Sequence, residues 1–411
     1  MIRITRRAQA AHYSIRDPEI ASMVTARKKA GERTLELNIG DPGAYDGAYG
    51  FAMPAHIKKG LVDAIGDDGH YDGYANEQGE PALRQAVAQY SKSQGISDAK
   101  EENVVAGNGL SELIDYLFGV AVEKGVGVVL PRPDYPLYTA RVNWYEGQPN
   151  YYELDHKKEW APDIASLENA IGKDTFAVVL INPSNPTGAT IERDALKAII
   201  DVVADKGNGE VAIISDEIYH HLRFEGKHTA TASLTKSVPV ITLDGLSKGY
   251  YSPGWRVGHA LFSNFANDTL KKALVKVCAF RLSANKAVQH AYAAGIAARE
   301  KNSAEYSRML SMLKERAKYA SERLNSIDGI ECVPPKGAFY AFPHLLKGPW
   351  GTDKEFVVSL LSKEGVRVVP GSGFAMNPYE RFFRVVTLPD IGTQKQAYDK
   401  IDGFVKGANA N

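Results

Sequence analysis

The chain has 411 residues, of which 44% are hydrophobic and 24% charged, a composition typical of a globular protein with two or three compact units. Lys plus Arg and Asp plus Glu number 49 each, so the net charge is zero and indicates neither nucleic acid nor an anionic membrane as a partner. No uncharged run approaches the length of a membrane span, and no apolar segment follows the basic N-terminus, so we expect a cytoplasmic location.

The first element with a chemical signature is a glycine turn, Gly107-Asn108-Gly109, which precedes a helical stripe of apolar residues beginning at Leu110. A glycine turn that opens a helix offers free backbone N–H groups and the positive end of the helix dipole to a phosphate. Such turns also begin many helices that bind nothing, so the motif by itself is a weak indication.

Four short runs rich in Val and Ile are typical of strands covered on both faces, and they span residues 126–130, 176–181, 211–215 and 240–243. Residues 196–203 have the apolar spacing of a helix with one buried stripe. This alternation predicts an α/β fold with a mostly parallel sheet, in which a ligand lies beyond the carboxyl ends of the strands. Asn185, Asp216 and Lys248 each come just after a predicted strand, so we expect them at one edge of the sheet.

Two loop motifs follow the first two of these strands. The ring of Tyr135 could stack on a flat ligand or pack in the core, and geometry favours neither. The turn at residues 182–188, Asn-Pro-Ser-Asn-Pro-Thr-Gly, is rigid because its X–Pro steps disfavour helix and Gly188 permits a backbone that other residues avoid. This turn could hold the amide of Asn185 against a ligand oxygen, or it could simply connect a strand to a helix.

Asp216 follows the third predicted strand and begins the motif Asp-Glu-Ile-Tyr, which ends at Tyr219. A carboxylate against a pyridine nitrogen keeps that nitrogen protonated, so that the ring can accept electrons. In a helical turn Tyr219 would share a face with Asp216, and its hydroxyl could bond a ring oxygen. Taken singly, a helix-capping Asp and a core Tyr are the simpler explanations, but the combination at this place favours function.

Lys248 ends the motif Asp-Gly-Leu-Ser-Lys after the fourth predicted strand, and Arg256 follows eight positions later. An uncharged lysine amine can form an imine with the aldehyde of pyridoxal 5′-phosphate (PLP), and burial or a nearby cation lowers the lysine pKa toward neutrality. Arg256 could supply that charge and also bind the phosphate of the cofactor. Most lysines are solvated surface residues, but the small residues and the strand before Lys248 favour the functional interpretation.

Residues 286–327 have a continuous helical pattern and are expected to join two units, because the later segments alternate short strands and helices as in a smaller domain. The N-terminal stretch could pack with that smaller domain. Arg384 lies in a predicted strand, where its guanidinium could capture a carboxylate or form a surface ion pair. Cys278 and Cys332, the two cysteines, lack CxxC spacing and favour reduced, buried thiols over a disulfide or a metal site.

Together these motifs resemble the class I/II PLP-dependent aminotransferases of fold type I, the aspartate aminotransferase family, over almost the whole chain. The resemblance is carried by Tyr13-Ser-Ile-Arg-Asp-Pro, Leu37-Asn-Ile-Gly-Asp-Pro, Gly107-Asn-Gly-Leu-Ser-Glu-Leu, Pro133-Asp-Tyr-Pro-Leu, residues 182–188, Asp216-Glu-Ile-Tyr, Gly245-Leu-Ser-Lys, Arg281-Leu-Ser-Ala-Asn and Val385-Val-Thr-Leu-Pro. Within the family the chain is most similar to the bacterial and archaeal glutamate–pyruvate (alanine) aminotransferases. The implied fold has a large PLP-binding domain with a mostly parallel central sheet, residues 51–289, and a smaller α+β domain built from residues 1–50 and 290–411.

The resemblance implies PLP as the cofactor, with Lys248 as its point of attachment and as the base for proton transfer. The implied cofactor contacts are Asp216 at the ring nitrogen, Tyr219 and Asn185 at the ring oxygen, Tyr135 stacked on the ring, and Gly109, Leu110 and Arg256 at the phosphate. The implied contacts of the substrate α-carboxylate are Gly40, Asn185 and Arg384. Tyr74 would reach the phosphate of the neighbouring subunit, which implies a homodimer with shared active sites.

The chain departs from the family pattern at three positions. Gly245 stands where many relatives carry a phosphate-binding serine, so Ser247 could replace that contact. Asp41 stands where alanine-type relatives have Asn, and Ser283 stands where they often have Cys. These changes leave the chemistry in place and leave the exact amino acid open.

The expected reaction is ping-pong transamination, in which L-alanine and 2-oxoglutarate give pyruvate and L-glutamate, with Arg281 as a contact for the distal carboxylate of glutamate. Alternatives are an aminotransferase for aspartate, aromatic amino acids or diaminopimelate, and a PLP-dependent β-lyase or synthase that uses the same residues. A non-catalytic PLP-binding regulator would need a DNA-binding module, for which the chain has neither spare length nor a basic patch.

Overall fold

The computed structural model describes residues 3–45, 51–66 and 70–409. Within them the strands are β1 Leu35–Glu36, β2 Val104–Gly107, β3 Gly127–Arg132, β4 Gln148–Asp155, β5 Ala161–Pro162, β6 Thr175–Ile181, β7 Ala212–Asp216, β8 Val240–Gly245, β9 Gly258–Ser263, β10 Ile330–Glu331, β11 Tyr340–Ala341, β12 His344–Leu345, β13 Val366–Arg367, β14 Val369–Pro370 and β15 Phe383–Val386. The helices are α1 Arg6–Ala10, α2 Pro18–Lys29, α3 Ala55–Ile65, α4 Pro81–Ser93, α5 Leu110–Ala121, α6 Pro136–Trp144, α7 Ile164–Ala170, α8 Arg193–Gly207, α9 Thr269–Phe280, α10 Lys286–Ala298, α11 Ser303–Asn325, α12 Asp353–Glu364 and α13 Ile391–Asn409. Of these described helices, none is long and apolar enough to cross a membrane.

The largest sheet has the strand order β2-β9-β8-β7-β6-β3-β4-β5. Strands β4, β3, β6, β7 and β8 run parallel to one another. Strand β9 is antiparallel to both β2 and β8, and β5 is an antiparallel edge strand beside β4. The four strands expected from the sequence are β3, β6, β7 and β8, and the mostly parallel α/β fold is confirmed. Because parallel strands share a direction, the loops after β6, β7 and β8 all leave the sheet at the same edge.

Helices cover both faces of this sheet, and successive residues of one strand pack into different cores. In β6, Val178 and Leu180 belong to the core on one face, whereas Val179 and Ile181 belong to the core on the other. This is the alternation of a strand that is buried on both faces. It explains why residues 176–181 have no polar side chain.

A second hydrophobic core combines the two ends of the chain. Ile20 and Leu37 pack in it with Phe356 and Tyr398, and β1 pairs in parallel with β13. The N-terminal stretch therefore packs with the C-terminal segments. The division of the chain into residues 51–289 and the rest stays a prediction.

The segment expected to be one helix is two. Helix α10 ends at Ala298, a short 3-10 turn spans Glu300–Asn302, and α11 begins at Ser303. The side-chain amide of Asn302 donates to the carbonyl oxygen of Ala298 at 2.8 Å, and this bond satisfies a group that the ending helix leaves free. Helix α11 begins against the core of the large sheet and ends in the second core, so it does join the two regions.

Candidate active site

A cleft of about 480 Å³ lies where the carboxyl ends of β6 and β7 and the loop after β8 meet the N-terminus of α5. The N-terminal stretch, through Tyr13, Ile15, Arg16 and residues 38–41, forms its other wall. Ten of the thirteen predicted site residues line the cleft: Gly40, Leu110, Tyr135, Asn185, Asp216, Tyr219, Ser247, Lys248, Arg256 and Arg384. The lining does not include Gly109, which lies directly behind Arg256, or Tyr74 and Arg281.

Lys248 lies in the loop after β8, and its Nζ donates to the carbonyl oxygen of Gly40 at 2.6 Å. Removal from water lowers the pKa of Lys248 to about 8, and the charges of Arg384 and Arg256 act in the same direction against Asp41 and Asp216. A larger fraction of this amine is therefore uncharged near neutral pH than for an ordinary lysine. An uncharged amine can act as a nucleophile and as a base.

Asp216 ends β7 and is buried at the base of the cleft. Its Oδ2 accepts a hydrogen bond from the Tyr138 hydroxyl at 2.9 Å, and its Oδ1 accepts one from the backbone N–H of Ile218 at 3.2 Å. Burial raises the pKa of Asp216 to about 6, opposed by the hydrogen bond from Tyr138. A buried carboxyl held in this way suits a cationic or N–H partner in the cleft.

Tyr219 follows in a turn that leads into a 3-10 helix at His220–Leu222, rather than on the helical face that the sequence suggested. It lines the cleft together with Asp216, and its hydroxyl lies 2.9 Å from the hydroxyl of Tyr340.

Arg384 lies in β15 and is buried. Its Nη1 donates to Oδ1 of Asn185 and its Nη2 to the carbonyl oxygen of Asn38, each at 2.9 Å. Its Nε is buried and has no hydrogen-bond partner among the described residues. The guanidinium lies between the rings of Tyr340 and Phe374, 4.7 Å from each centroid. A buried cation with an unsatisfied donor fits a small anion such as a carboxylate.

A second anion-binding geometry lies at the start of α5. Gly109 has φ +84°, and a Cβ built there would approach Nη2 of Arg256 to 2.4 Å, so the guanidinium occupies the space above the glycine. Arg256 is held by a 2.7 Å bond from its Nη1 to the carbonyl oxygen of Pro253. The first residue of α5, Leu110, and the nearby Ser247 complete this corner of the cleft. Helix N–H groups beside a guanidinium and a hydroxyl are the donors that a phosphate requires.

Gly245, the last residue of β8, has no room for a side chain. A Cβ on Gly245 would lie 2.7 Å from the carbonyl oxygen of Val257 and 2.8 Å from Cα of Gly258. A serine at residue 245 would therefore require β9 to move, which leaves Ser247 as the hydroxyl on this loop that lines the cleft.

The sequence model of the family described as aminotransferase class I and II matches residues 35–401. The chain belongs to this family. It is 32% identical to the glutamate-pyruvate aminotransferase AlaA of Haemophilus influenzae, over 96% of this chain and 95% of that protein. It is also 32% identical to the alanine aminotransferase of Mycobacterium tuberculosis, over 96% of this chain and 90% of that protein. A solved structure of an alanine aminotransferase from Pyrococcus furiosus superposes with a TM-score of 0.92 at 35% identity and covers 98% of this chain and 100% of that one.

The resemblance seen in the sequence is thereby confirmed, and the protein is an aminotransferase of fold type I, a family that depends on PLP. The residues of the cleft fit that cofactor on their own geometry. The corner at Gly109 and Arg256 matches the phosphate, buried Asp216 matches the ring nitrogen, and Lys248 reaches the space between them.

Two predicted residues of this aminotransferase lie away from its cleft. Tyr74 is 77% exposed, and the next residue, Ala75, donates its N–H to the Ser283 hydroxyl at 3.1 Å. Arg281 pairs through Nε with Glu112 at 2.6 Å and donates from Nη2 to the carbonyl oxygen of Ala106 at 2.8 Å. The guanidinium of Arg281 is thus held outside the cleft of this chain by an acid that sequence spacing could not reveal, and its contact with the substrate stays a prediction.

Several residues of the aminotransferase site were missed by sequence reasoning. Tyr138 lies on α6 three residues after Tyr135, and that helical spacing could have indicated a second tyrosine facing the site. Tyr340 carries no local signal, because its partners Tyr219 and Arg384 come from distant segments. The remaining missed residues that line the cleft include Tyr13, Arg16, Asn38 and Arg367.

A buried polar layer lies behind the loop that carries Asp216. The described residues include a group of potential metal ligands, His220, His221 and Asp244, whose donor atoms lie within 4.8 Å of one another. Both ring nitrogens of His220 are already engaged, by the carbonyl oxygen of Glu217 at 2.8 Å and by the Tyr90 hydroxyl at 3.0 Å. Burial lowers the pKa of His220 to about 3, so the ring is neutral and supports the loop as a hydrogen-bonded core residue.

Proposed function

We propose that this aminotransferase binds PLP through Lys248 and exchanges amino groups between L-alanine and 2-oxoglutarate. The observation that carries the proposal is the convergence of Lys248, Asp216 and Arg384 on one cleft, although they lie in three separate parts of the sequence. The names of the relatives support the alanine and glutamate pairs.

In this proposal, different residues of the cleft bind different parts of the cofactor. Arg256, Ser247 and the N–H groups at the start of α5 bind the phosphate, with Gly109 providing the space for Arg256. Asp216 binds the ring nitrogen, Tyr219 and Asn185 bind the ring oxygen, and Tyr135 covers one face of the ring. When bound, PLP supplies an aldehyde carbon and a ring that withdraws electrons from the substrate.

Lys248 moves the proton in this proposal. With PLP bound, its Nζ would be the base that takes the proton from Cα of the amino acid and later gives that proton back. Burial lowers the pKa of this amine to about 8 and so increases the fraction in the uncharged form that the step needs. The carbonyl of Gly40, which accepts from Nζ at 2.6 Å, holds the amine at the mouth of the cleft.

Arg384 orients the substrate. Its fixed guanidinium binds the α-carboxylate with the help of Asn185, and this contact places Cα of the substrate next to Lys248. The first oxo acid leaves before the second enters the same cleft, which makes the mechanism ping-pong.

Glutamate needs a second cationic contact, and Arg16 replaces Arg281 as our candidate. Arg16 lines the cleft and has no role in the proposed contacts so far. Arg367 also lines the cleft, but it is paired with Glu36 at 3.1 Å. We expect Arg16→Gln to slow the glutamate half-reaction more than the alanine half-reaction. Arg281→Gln is the matched control and is expected to slow the two equally.

We also propose a cytoplasmic homodimer with shared active sites, in which each subunit has the predicted domains 51–289 and 1–50 with 290–411. A second cavity of about 430 Å³ adjoins Arg256 and Asn108. Exposed Tyr74 of a second copy would reach the phosphate corner through this cavity. Tyr74→Phe is expected to weaken PLP binding, and sedimentation of the unaltered protein tests the dimer itself.

The first experiment is the absorption spectrum of the PLP-loaded protein before and after addition of L-alanine without an oxo acid. Loss of the lysine-bound cofactor band, with stoichiometric pyruvate and the amino form of the cofactor, is expected. An unchanged band would retain PLP but reject alanine. Continued pyruvate formation from L-serine or L-cysteine, which carry a leaving group on Cβ, without an acceptor would indicate a lyase instead.

A further inference from the structure

Tyr340 is a buried residue of β11 that touches three separate parts of the active site. Its hydroxyl lies 2.9 Å from the hydroxyl of Tyr219, and its ring centroid lies 4.7 Å from Cζ of Arg384. A Cβ built on Gly40 would come within 2.3 Å of the Tyr340 hydroxyl, so the backbone of Gly40 lies directly against it. Gly40 is in turn the residue that accepts from Lys248.

The pairing of the C-terminal strands creates this arrangement. Strand β11 is antiparallel to β15, with Tyr340 opposite Val386. Arg384 is two residues from Val386 and therefore lies on the same face of the ribbon, as a diagonal neighbour of Tyr340. A shift of this register by one residue would move Arg384 to the opposite face.

We propose that Tyr340 is a positioning residue that links the arginine for the substrate carboxylate to the tyrosine for the cofactor ring oxygen. The proposal rests on the proposed function, because it uses the roles assigned there to Arg384 and Tyr219. Tyr340 itself needs no contact with the substrate or the cofactor to act in this way.

The first half of the link is a hydrogen bond whose direction would be set by the contact of Tyr219 with the ring oxygen. A tyrosine hydroxyl has one proton to donate. If Tyr219 donates that proton to the ring oxygen, its own oxygen must accept from Tyr340. Burial raises the pKa of Tyr340, so its hydroxyl stays protonated and able to donate. Tyr340 thereby orients the Tyr219 hydroxyl toward the ring oxygen, and the two bonds strengthen each other.

The second half of the link is the face of the Tyr340 ring. Together with Phe374 it holds the guanidinium of Arg384 in one plane, with bonds to Asn185 and to the backbone of Asn38 at its ends. A guanidinium fixed in this plane presents its charge to the cleft without a search for orientation. The ring and the hydroxyl of one residue therefore have different tasks.

Two substitutions separate the tasks. Tyr340→Phe removes the hydroxyl and keeps the ring, whereas Tyr340→Leu removes both. Tyr398→Phe is the matched control, because its hydroxyl is buried in the second core and has no hydrogen-bond partner among the described residues. Circular dichroism and thermal melting establish that each variant is folded.

The first readout is the absorption spectrum of bound PLP as a function of pH. A hydrogen bond to the ring oxygen stabilises the deprotonated form of the bound cofactor, in which that oxygen carries the negative charge alone. Loss of the bond therefore raises the apparent pKa of the bound cofactor. In Tyr340→Phe we expect a rise of roughly a few tenths of a unit, since each bond in a hydrogen-bonded chain gains about 10–30% from its neighbours. Tyr219→Phe is expected to give a larger rise in the same direction.

The second readout is the dissociation constant of propionate, which has the carboxylate of alanine but no amino group. Tyr340→Leu is expected to weaken propionate binding roughly 2- to 30-fold through loss of the cation–π contact. Tyr340→Phe is expected to leave propionate binding unchanged. An unshifted titration in Tyr340→Phe, beside a shifted one in Tyr219→Phe, would overturn the hydroxyl link. Unchanged propionate binding in Tyr340→Leu would overturn the ring link, and if Tyr340→Leu does not fold, Tyr340→Met, which also lacks the ring, replaces it in this test. Failure of the unaltered protein to bind PLP would instead overturn the proposed function.

Discussion

The two walls of the cleft are built in different ways. The sheet wall is defined by Asp216, the last residue of β7, and by Asn185 and Lys248, which follow β6 and β8 by four and three positions. The mouth wall, defined by Gly40, Tyr340 and Arg384, comes from the two ends of the chain. The sheet wall depends on the direction of parallel strands, whereas the mouth wall depends on packing between segments that are distant in sequence. In the proposed function, proton transfer lies on the first wall and substrate orientation on the second.

A few contacts join the two walls. Lys248 bonds the backbone of Gly40, and Arg384 bonds the side chain of Asn185. These contacts cross between the regions of the two cores, so substitutions on either side test how far each wall acts independently.

Lys248→Ala should give the largest effect, because it removes the base of the sheet wall while leaving the mouth wall in place. We expect turnover to fall by on the order of 10⁴-fold, at the upper end of what a general base contributes. Single-turnover kinetics with L-alanine measure the loss, and exposed Lys318→Ala is the control. Substantial remaining turnover would mean that another group moves the proton.

Arg384→Lys tests the mouth wall in isolation. The variant keeps the positive charge but loses the planar fork, so we expect kcat/KM to fall roughly 10- to 150-fold for all amino acid substrates, the range for a lost charge-assisted hydrogen bond. Most of the change should appear in KM. Arg381→Lys, whose arginine bonds the backbone of Trp350 and Leu346, is the control. A loss confined to glutamate would assign Arg384 to the distal carboxylate instead.

The pH dependence of the free energy of unfolding tests the buried large sheet that carries the sheet wall. Burial lowers the pKa of His259 in β9 to about 3, below the value of about 6.5 in the unfolded chain. The unfolded chain therefore binds more protons between these values, and stability is lost as the pH falls below about 6.5. His259→Asn should reduce the loss between pH 7 and pH 5 by about 2 kcal/mol.

Chemical denaturation at the two pH values measures this difference, with exposed His70→Asn as the control. Asp216, whose pKa is raised to about 6, acts with the opposite sign between about pH 4 and 6, so the variant must be compared with the unaltered protein at each pH. An identical pH dependence in His259→Asn and in the unaltered protein would contradict the assignment.

The sequence determined the sheet wall. Strand composition, the rigid turn at Asn185 and the small residues before Lys248 act over a few residues, and the direction of parallel strands then brings them to one edge. Local pattern was insufficient at residues 299–302, where the helix that the pattern continued ends and the side chain of Asn302 bonds the carbonyl oxygen of Ala298.

The tertiary structure decided the mouth wall. Arg384 and Arg281 were both candidates from local sequence, but strand pairing carries Arg384 into the cleft while Glu112, 169 residues away, holds Arg281 outside it. Tyr138 and Tyr340 were not identified because their partners come from other elements. A side chain acquires its role from its neighbours, and neighbours that are distant in the chain are fixed only when the whole fold is packed.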